Sequence, residues 1–264
     1  MSVFPSPLSP SAITRTLRAA GCVFAEDEAE LLLANAAGPA ELAAMVERRA
    51  AGLPLEHVLG WAEFRGLRIA VDPGVFVPRR RTEFLVSQAV DLVRPAAPVV
   101  VVDLCCGSGA LGAALVDALD RVELHATDVE PAAVRCARRN IAGTGQVYEG
   151  DLFDPLPESL RGRVGLLLAN VPYVPTDDVD LLPAEARVHE PRVALDGGGD
   201  GLDVLRRVVA GAPRWLAPGG HLLVETSERQ AARAEETVAA GGLVPRVLTS
   251  DELYATVVVG TRPA

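Results

Sequence analysis

The chain has 264 residues, of which 49% are hydrophobic and 4% aromatic, which is enough for one large domain with a small appendage. Its net charge is −10 and its pI is about 5.0, which argues against a nucleic acid as the main partner, because proteins that bind phosphate backbones usually carry net positive charge. We expect no signal peptide, no membrane span and no metal site, and the four cysteines, which lack the spacing of zinc ligands, predict reduced thiols in a cytoplasmic protein.

The first part of the chain is predicted to be helical. Residues 1–10 are rich in proline and serine and are predicted to form a loose arm. Apolar periodicity and the glycines at segment ends predict three helices, over residues 11–20, 26–36 and 41–51. We therefore expect a small helical domain at residues 1–62, whose role is either packing or the recruitment of a protein substrate.

The pattern then changes to the period of a β-strand. Apolar residues alternate with polar ones on both sides of Asp72-Pro73-Gly74, which predicts a β-hairpin over residues 63–77 with its turn at these three residues. Thr82 is predicted to cap a helix over residues 83–93. Residues 63–98 are thus expected to connect the helical domain to the rest of the chain.

The main domain is predicted to span residues 99–264, after a short linker at residues 95–98. Strands and helices alternate through most of it, which is typical of a doubly wound α/β sheet. The predicted strands are 99–102, 122–126, 146–149, 164–169 and 222–225. The predicted helices are 110–119, 131–140, 201–215 and 228–240, and an antiparallel pair at 244–248 and 255–260 is expected to close the sheet.

The apolar run at residues 164–169 ends at Asn170-Val171-Pro172-Tyr173. Pro172 cannot donate to a sheet ladder, so the strand must end near Asn170, where open α/β sheets bind their ligands. The Asn170 side-chain oxygen and the Val171 carbonyl could accept both hydrogens of a planar NH2 group, with the Tyr173 ring stacked nearby. The alternative interpretation is a strand end with a turn proline and a tyrosine at the edge of the core.

A glycine-rich turn follows the first strand of the main domain. Gly107, Gly109 and Gly112 spell G-x-G-x-x-G, the pattern of dinucleotide-binding turns. Such glycines let the backbone approach a ligand and open a helix. The pattern alone also fits a tight turn without a ligand.

Three successive strand ends carry an aspartate. Asp103 would repel a pyrophosphate but could meet a cationic group, and Asp128 is placed to hold a ribose diol. Asp151 could accept a hydrogen bond from an exocyclic amine such as that of adenine. Each could instead be a helix cap, but the three together fit a nucleoside with an amino-acid tail and no phosphate, which is S-adenosylmethionine.

In their order, these motifs resemble the HemK-like protein-(glutamine-N5) methyltransferases of the release-factor type. The matching stretches are Asp103–Gly109, Thr127-Asp128, Gly150–Phe153 and Asn170–Tyr173, together with residues 54–60, 64–67, 77–83 and 189–202. The resemblance runs from about residue 11 to the end of the chain. It implies a seven-stranded Rossmann-like S-adenosylmethionine-dependent methyltransferase fold behind a small helical domain and a β-hairpin.

The resemblance also implies the roles of individual residues. Asp103 and the glycine turn would line the methionine end of the cofactor, Asp128 would hold the ribose, and Asp151 with Leu152 would flank the adenine. The implied cofactor-binding residues are Arg79, Thr82, Asp103, Cys105, Cys106, Gly107, Ser108, Gly109, Asp128, Val129, Asp151, Leu152 and Asn170. The implied catalytic residues, which hold the amide of a glutamine in a protein such as a peptide chain release factor, are Asn170, Val171, Pro172 and Tyr173.

The chain departs from the family pattern at three places. Val171 stands where the family usually has proline, Cys105 stands where many relatives have glycine, and Arg80-Arg81 replaces the usual Pro-Glu pair. The predicted helical region is also shorter than in release-factor enzymes. The alternatives are a nucleic-acid methyltransferase acting on an adenine or cytosine amino group, which would need a basic groove, a nicotinamide-dependent oxidoreductase, and a non-catalytic cofactor-binding protein.

Overall fold

The computed structural model of the chain describes residues 8–93 and 98–264. Most of the predicted N-terminal arm (residues 1–7) and of the predicted linker (residues 95–97) lies outside these ranges. The described chain begins with four helices, of which the last was not predicted. They are α1 (Pro10–Ala19), α2 (Ala25–Asn35), α3 (Pro39–Ala50) and α4 (Leu55–Leu59).

The helices α1 to α4 pack around an apolar core of their own. Ile13 and Leu17 of α1 and Leu32 of α2 are completely buried there, with Met45 of α3 against them. The side chain of Ser9 caps α1, because its Oγ accepts a hydrogen bond from the Ala12 amide at 3.3 Å. The amphipathic pattern of the sequence therefore identified the three main helices to within two residues at each end.

A β-hairpin follows, but its turn is not where the sequence predicts it. Strand β1 (Trp61–Phe64) pairs antiparallel with β2 (Leu67–Ala70), and the turn is Arg65-Gly66. Arg65 adopts a left-handed φ of 49°, which hydrogen bonds stabilise: its amide and guanidinium bond to Glu83 and Ser87. The predicted turn at Asp72-Pro73-Gly74 is therefore wrong as the hairpin turn.

The predicted cap of the next helix is also wrong. A 3₁₀ turn over Arg80–Thr82 runs directly into α5 (Glu83–Leu92), so Thr82 already has helical backbone angles. The Thr82 hydroxyl is buried and has no hydrogen-bond partner in the described part of the chain. A residue inside a continuous helical run cannot act as an N-cap, because a cap needs extended backbone angles.

The main domain is a seven-stranded sheet in the order β5-β4-β3-β6-β7-β9-β8, with helices on both faces. Strand β9 pairs antiparallel with both β7 and β8, so that β8 and β9 form the predicted antiparallel pair at the end of the sheet. The strands are β3 (Val99–Leu104), β4 (Val122–Asp128), β5 (Gly145–Glu149), β6 (Val164–Ala169), β7 (Leu216–Thr226), β8 (Val244–Ser250) and β9 (Ala255–Thr261). The helices are α6 (Ala110–Ala118), α7 (Pro131–Asn140), α8 (Ala184–His189), α9 (Asp203–Trp215) and α10 (Ala231–Ala240). The predicted fold class is thus confirmed.

The strand order reverses between β3 and β6, and this reversal positions the site. Strand β3 pairs in parallel with β4 on one side and with β6 on the other, so that their carboxyl ends meet at one edge. The loops that follow these strands diverge to opposite faces of the sheet and leave a crevice, which is where such sheets bind ligands. Within the described ranges, no helix combines the length and the apolar character that crossing a membrane requires.

Candidate active site

A cavity of about 500 Å³ opens at the carboxyl ends of β3, β4 and β6. This size is typical of sites for small molecules and cofactors. Most of the site residues predicted from the sequence form its walls: Arg79, Thr82, Cys105, Cys106, Gly107, Ser108, Asp128, Val129, Asp151, Leu152, Asn170, Val171, Pro172 and Tyr173. Asp103 and Gly109 do not line the cavity.

The glycine-rich turn between β3 and α6 forms one wall. Its backbone is left-handed at Cys105 (φ 55°), Gly107 (φ 54°) and Gly109 (φ 79°). A Cβ at Gly107 would meet open space, whereas one at Gly109 would lie 3.1 Å from the Cβ of Ala137 in α7. Gly107 therefore leaves room for a ligand, while Gly109 is required for close packing of the turn against α7. The left-handed backbone at Cys105 is one that glycine adopts without strain and that a residue with a Cβ adopts less readily.

Asp128 at the end of β4 supports this turn. Its Oδ2 accepts a hydrogen bond from the Gly107 amide at 2.8 Å, and its Oδ1 accepts one from the Glu130 amide at 2.9 Å. Burial raises the pKa of the carboxyl group above its usual range. Both partners are backbone amides, and no arginine in the described ranges forms an ion pair with Asp128.

Asp103 lies behind the glycine turn and is completely buried. Its Oδ2 accepts a hydrogen bond from the Gly112 amide at 3.2 Å, while its Oδ1 has no partner in the described ranges. Burial, together with the nearby Asp128 carboxylate, raises the pKa of Asp103 to about 7. The three predicted aspartates thus follow or end strands at one edge of the sheet, where Asp128 and Asp151 line the cavity and Asp103 is fully buried.

Asp151 and Leu152, which follow β5, form the rim on the other side. The Asp151 Oδ2 lies 2.5 Å from an Arg207 nitrogen of α9, and the two side chains are 47% and 56% exposed. Leu152 is buried, and its carbonyl accepts a hydrogen bond from Thr127 Oγ1 at 2.9 Å. Arg207 was not anticipated, because nothing in its local sequence connects it to the end of β5.

The stretch Asn170-Val171-Pro172-Tyr173 leaves the end of β6 and enters the cavity wall. The Asn170 side chain is half-buried, and no hydrogen bond joins it to the described residues. The Val171 side chain is buried in the core. The Val171 carbonyl accepts no hydrogen bond from the described residues. Asn170 and Val171 thus line the cavity, and neither the Asn170 side-chain oxygen nor the Val171 carbonyl has a donor in the described ranges.

The segment 174–201 covers this stretch. The Val174 amide donates to the Leu195 carbonyl at 3.1 Å, and the Gly197 amide donates to the Val174 carbonyl at 2.8 Å. The Gln230 side chain donates to the Tyr173 carbonyl at 2.9 Å. These bonds fix the backbone that follows Asn170 while leaving the Asn170 side chain free.

Tyr173 is also held at its hydroxyl. The hydroxyl donates to Oε1 of Glu225 at 3.1 Å and accepts from an Arg81 nitrogen at 2.7 Å. A second nitrogen of Arg81 donates to the same Glu225 oxygen at 2.9 Å. Burial raises the pKa of Tyr173 to about 12, so the phenol is a neutral donor at physiological pH.

A second arginine pair joins the segment after the hairpin to the segment over the site. Arg79 lies 2.6 Å from Oε1 of Glu190, whose side chain is fully buried. The same oxygen accepts a hydrogen bond from the Val77 amide at 3.1 Å. Through these contacts Glu190 fixes Arg79 and the neighbouring Thr82 at the cavity wall.

The sequence contained a signal for some of the missed residues. Glu225 is an acid at the end of a parallel strand, as are the three predicted aspartates, so the same rule would have found it. Glu190 belongs to a stretch that resembles the family, but the resemblance implies no role for it. Arg81 stands out in the sequence only as a departure from the family pattern.

Comparison with known proteins extends these observations. The family model described as "Methyltransferase small domain" matches residues 66–202. A solved methyltransferase from Pyrococcus furiosus has a similar fold, with a TM-score of 0.57 at 15% identity, covering 76% of this chain and 91% of that one.

Curated relatives at higher identity cover most of the chain. A release factor glutamine methyltransferase from Streptomyces coelicolor is 40% identical, covering 80% of this chain and 72% of the relative. One from Mycolicibacterium smegmatis is 41% identical, covering 85% of each. The chain is therefore a methyltransferase that belongs to the release factor glutamine methyltransferase family.

Proposed function

We propose that this protein methylates the side-chain amide nitrogen of a glutamine in a peptide chain release factor, with S-adenosylmethionine as the methyl donor. The observation that carries the proposal is the pair of acceptor oxygens, Asn170 Oδ1 and the Val171 carbonyl, which have no partner in the described ranges and belong to two adjacent residues of the cavity wall. The names of the curated relatives support a release factor as the substrate. A substrate that acts in translation also supports a cytoplasmic location.

The cavity residues fit S-adenosylmethionine. The carboxylates of Asp128 and Asp151 suit the ribose and the adenine amine, and open space in front of Gly107 leaves room for the methionine end. The buried Thr82 hydroxyl lacks a partner in the described ranges and lines the same cavity, so it is available to the ligand. Asp128 lines the cavity without an arginine partner in those ranges, which favours a ligand without a pyrophosphate. When bound, this cofactor supplies an activated methyl group on a sulfonium.

In this proposal, Asn170 and Val171 compensate for the weak nucleophilicity of an amide nitrogen. An amide nitrogen is a weak nucleophile because its lone pair is delocalised into the carbonyl group. Two oxygens that accept both N–H hydrogens increase the electron density on nitrogen and fix the direction of attack. No strong base is required, and Tyr173 is unsuited to be one because its pKa is about 12; the proton passes to water after transfer.

The three parts of the chain have separate roles in this proposal. Residues 99–264 bind the cofactor, residues 63–98 contribute Arg79 and Thr82, and the helical domain at 1–62 recruits the substrate protein. Support comes from an ion pair between Arg49 of α3 and Glu185 of α8, at 3.1 Å. Because Glu185 lines the cavity, this pair connects the helical domain to the wall of the site.

Methyl transfer to a purified release factor tests the proposal. The full chain is incubated with labelled S-adenosylmethionine and either a release factor, RNA or DNA, and the modified residue is located by mass spectrometry. We expect one methyl group on a glutamine side chain, and no transfer when that glutamine is changed to glutamate. Label on a nucleic-acid amino group, or on another amino-acid type, would overturn the assignment.

A further inference from the structure

We propose that Arg81 is a positioning residue for methyl transfer, which acts by fixing the Tyr173 ring beside the two acceptor oxygens. This inference rests on the proposed function for its kinetic consequence. Its structural basis is independent, because it follows from the contacts among Arg81, Glu225 and Tyr173 alone.

The three side chains form a closed ring of hydrogen bonds. One Arg81 nitrogen donates to the Tyr173 hydroxyl at 2.7 Å, the hydroxyl donates to Glu225 Oε1 at 3.1 Å, and a second Arg81 nitrogen donates to that oxygen at 2.9 Å. The planar guanidinium group can make both bonds at once because its donors have a fixed geometry. A cation and a carboxylate thus hold one phenol from two sides, which strengthens each bond.

The buried carboxylate of Glu225 explains why an arginine is favourable at position 81. The Glu225 side chain is 2% exposed, and Arg81 is its ion-pair partner in the described ranges. An acidic residue at position 81 would place a second carboxylate beside Glu225 and Tyr173. Arg81 instead neutralises the buried charge and supplies the donor that the phenol oxygen accepts.

Tyr173 is held at both ends as a result. Gln230 donates to its carbonyl at 2.9 Å, and the Arg81–Glu225 pair holds its hydroxyl. The chain between Asn170 and Tyr173 is short and contains Pro172, so a fixed ring restricts the two acceptor oxygens as well. Misplacement by about 1 Å costs on the order of 10²-fold in rate; loss of one fixing contact is expected to cost less.

Steady-state kinetics of Arg81→Gln tests the proposal, with release factor as substrate. We expect kcat to fall about 10-fold, with the KM for the release factor and the Kd for S-adenosylmethionine within about twofold of the parent. Arg81→Lys is expected to recover part of the loss, because lysine restores the charge but not the two-donor geometry. Arg80→Gln is the matched control, since Arg80 is an exposed neighbour of the same charge whose side chain forms no hydrogen bond in the described ranges. It is expected to match the parent.

A double-mutant cycle shows whether Arg81 acts through the phenol. In a Tyr173→Phe background, Arg81→Gln is expected to change kcat by less than about twofold, because the bond it removes is already absent. An equal loss in both backgrounds would overturn the proposal, as would an unchanged kcat in Arg81→Gln.

The ring of hydrogen bonds can also be tested without turnover. The chain has three tyrosines, so the ¹³Cζ resonance of Tyr173 can be assigned by comparison with Tyr173→Phe. We expect Arg81→Gln to shift this resonance and Arg80→Gln to leave it in place. If the parent shows no transfer to a release factor, the proposed function fails, whereas an unshifted resonance in Arg81→Gln refutes the role of Arg81.

Discussion

The two ends of the cavity hold their buried acids in different ways. At the glycine turn, Asp103 and Asp128 accept hydrogen bonds only from backbone amides within the described ranges. At the Tyr173 end, Glu190 and Glu225 are each paired with an arginine. The first arrangement leaves the Asp128 carboxyl group at the cavity wall without a cation partner, and the second pairs each buried acid with an arginine from the segment after the hairpin. The difference suggests which end binds the cofactor and which end positions the acceptor.

The largest effect is expected when the buried acid behind the glycine turn is removed by Asp103→Asn. Because burial raises the pKa of the Asp103 carboxyl group to about 7, this group stays protonated in the folded protein at pH values where it is ionised in the unfolded chain. The resulting stability is fully present below the unfolded pKa of about 3.9 and is lost as the pH rises to about 7. Over this window the free energy of unfolding of the parent is expected to fall by on the order of 4 kcal/mol relative to Asp103→Asn.

Denaturant titrations of both proteins at several pH values between about 4 and 8 measure this difference. The side-chain amide in Asp103→Asn keeps an oxygen that can accept from the Gly112 amide, so the comparison isolates the ionisation. A stability difference that does not vary with pH would contradict the account of Asp103.

The second-largest effect is expected on the affinity for S-adenosylmethionine when Asp128 is replaced. Asp128→Ala removes the carboxylate that holds the Gly107 and Glu130 amides, and a hydrogen-bonded charge of this kind is worth about 2–3 kcal/mol. We expect the Kd for S-adenosylmethionine, measured by calorimetry, to rise about 100-fold. Glu149→Gln, which changes an exposed acid at the end of β5, is the control; equal affinities in all three proteins would refute the assignment.

The smallest effect is expected at the rim, where Asp151 and Arg207 form an exposed pair. Water screens such a pair, so Arg207→Gln is expected to change the free energy of unfolding by less than about 0.5 kcal/mol. Its Kd for S-adenosylmethionine, again measured by calorimetry, is expected to remain within about threefold of the parent. A large loss of affinity would contradict this and place Arg207 with Arg79 and Arg81, the arginines that pair with buried acids.

The sequence predicts the main domain well because its signals are local. The apolar run at 164–169 is the observed β6 (Val164–Ala169), and Pro172 correctly marks its end. Because neighbouring strands of this part of the sheet are parallel, the glycine turn and the aspartates at strand ends lie at the same edge of the sheet. Most of the predicted site residues therefore meet in one cavity, since a doubly wound sheet brings its strand ends together.

The sequence does not predict features that depend on distant partners. Asp72-Pro73-Gly74 has the stronger local turn signal, yet the hairpin turns at Arg65-Gly66, and the Val77 amide bonds to Glu190 rather than to a strand. The role of Arg81 likewise depends on Glu225, which lies far along the chain. Such pairings are set by tertiary packing, which local propensity does not encode.

The central claim is that Asn170 holds the amide that receives the methyl group. Single-turnover methyl transfer by Asn170→Ala to a purified release factor, with the Kd for S-adenosylmethionine measured on the same protein, tests it most directly. The account predicts a loss of transfer of at least about 100-fold, because one of two acceptors for the N–H groups is gone, with cofactor affinity nearly unchanged. Transfer at the parental rate would contradict the account.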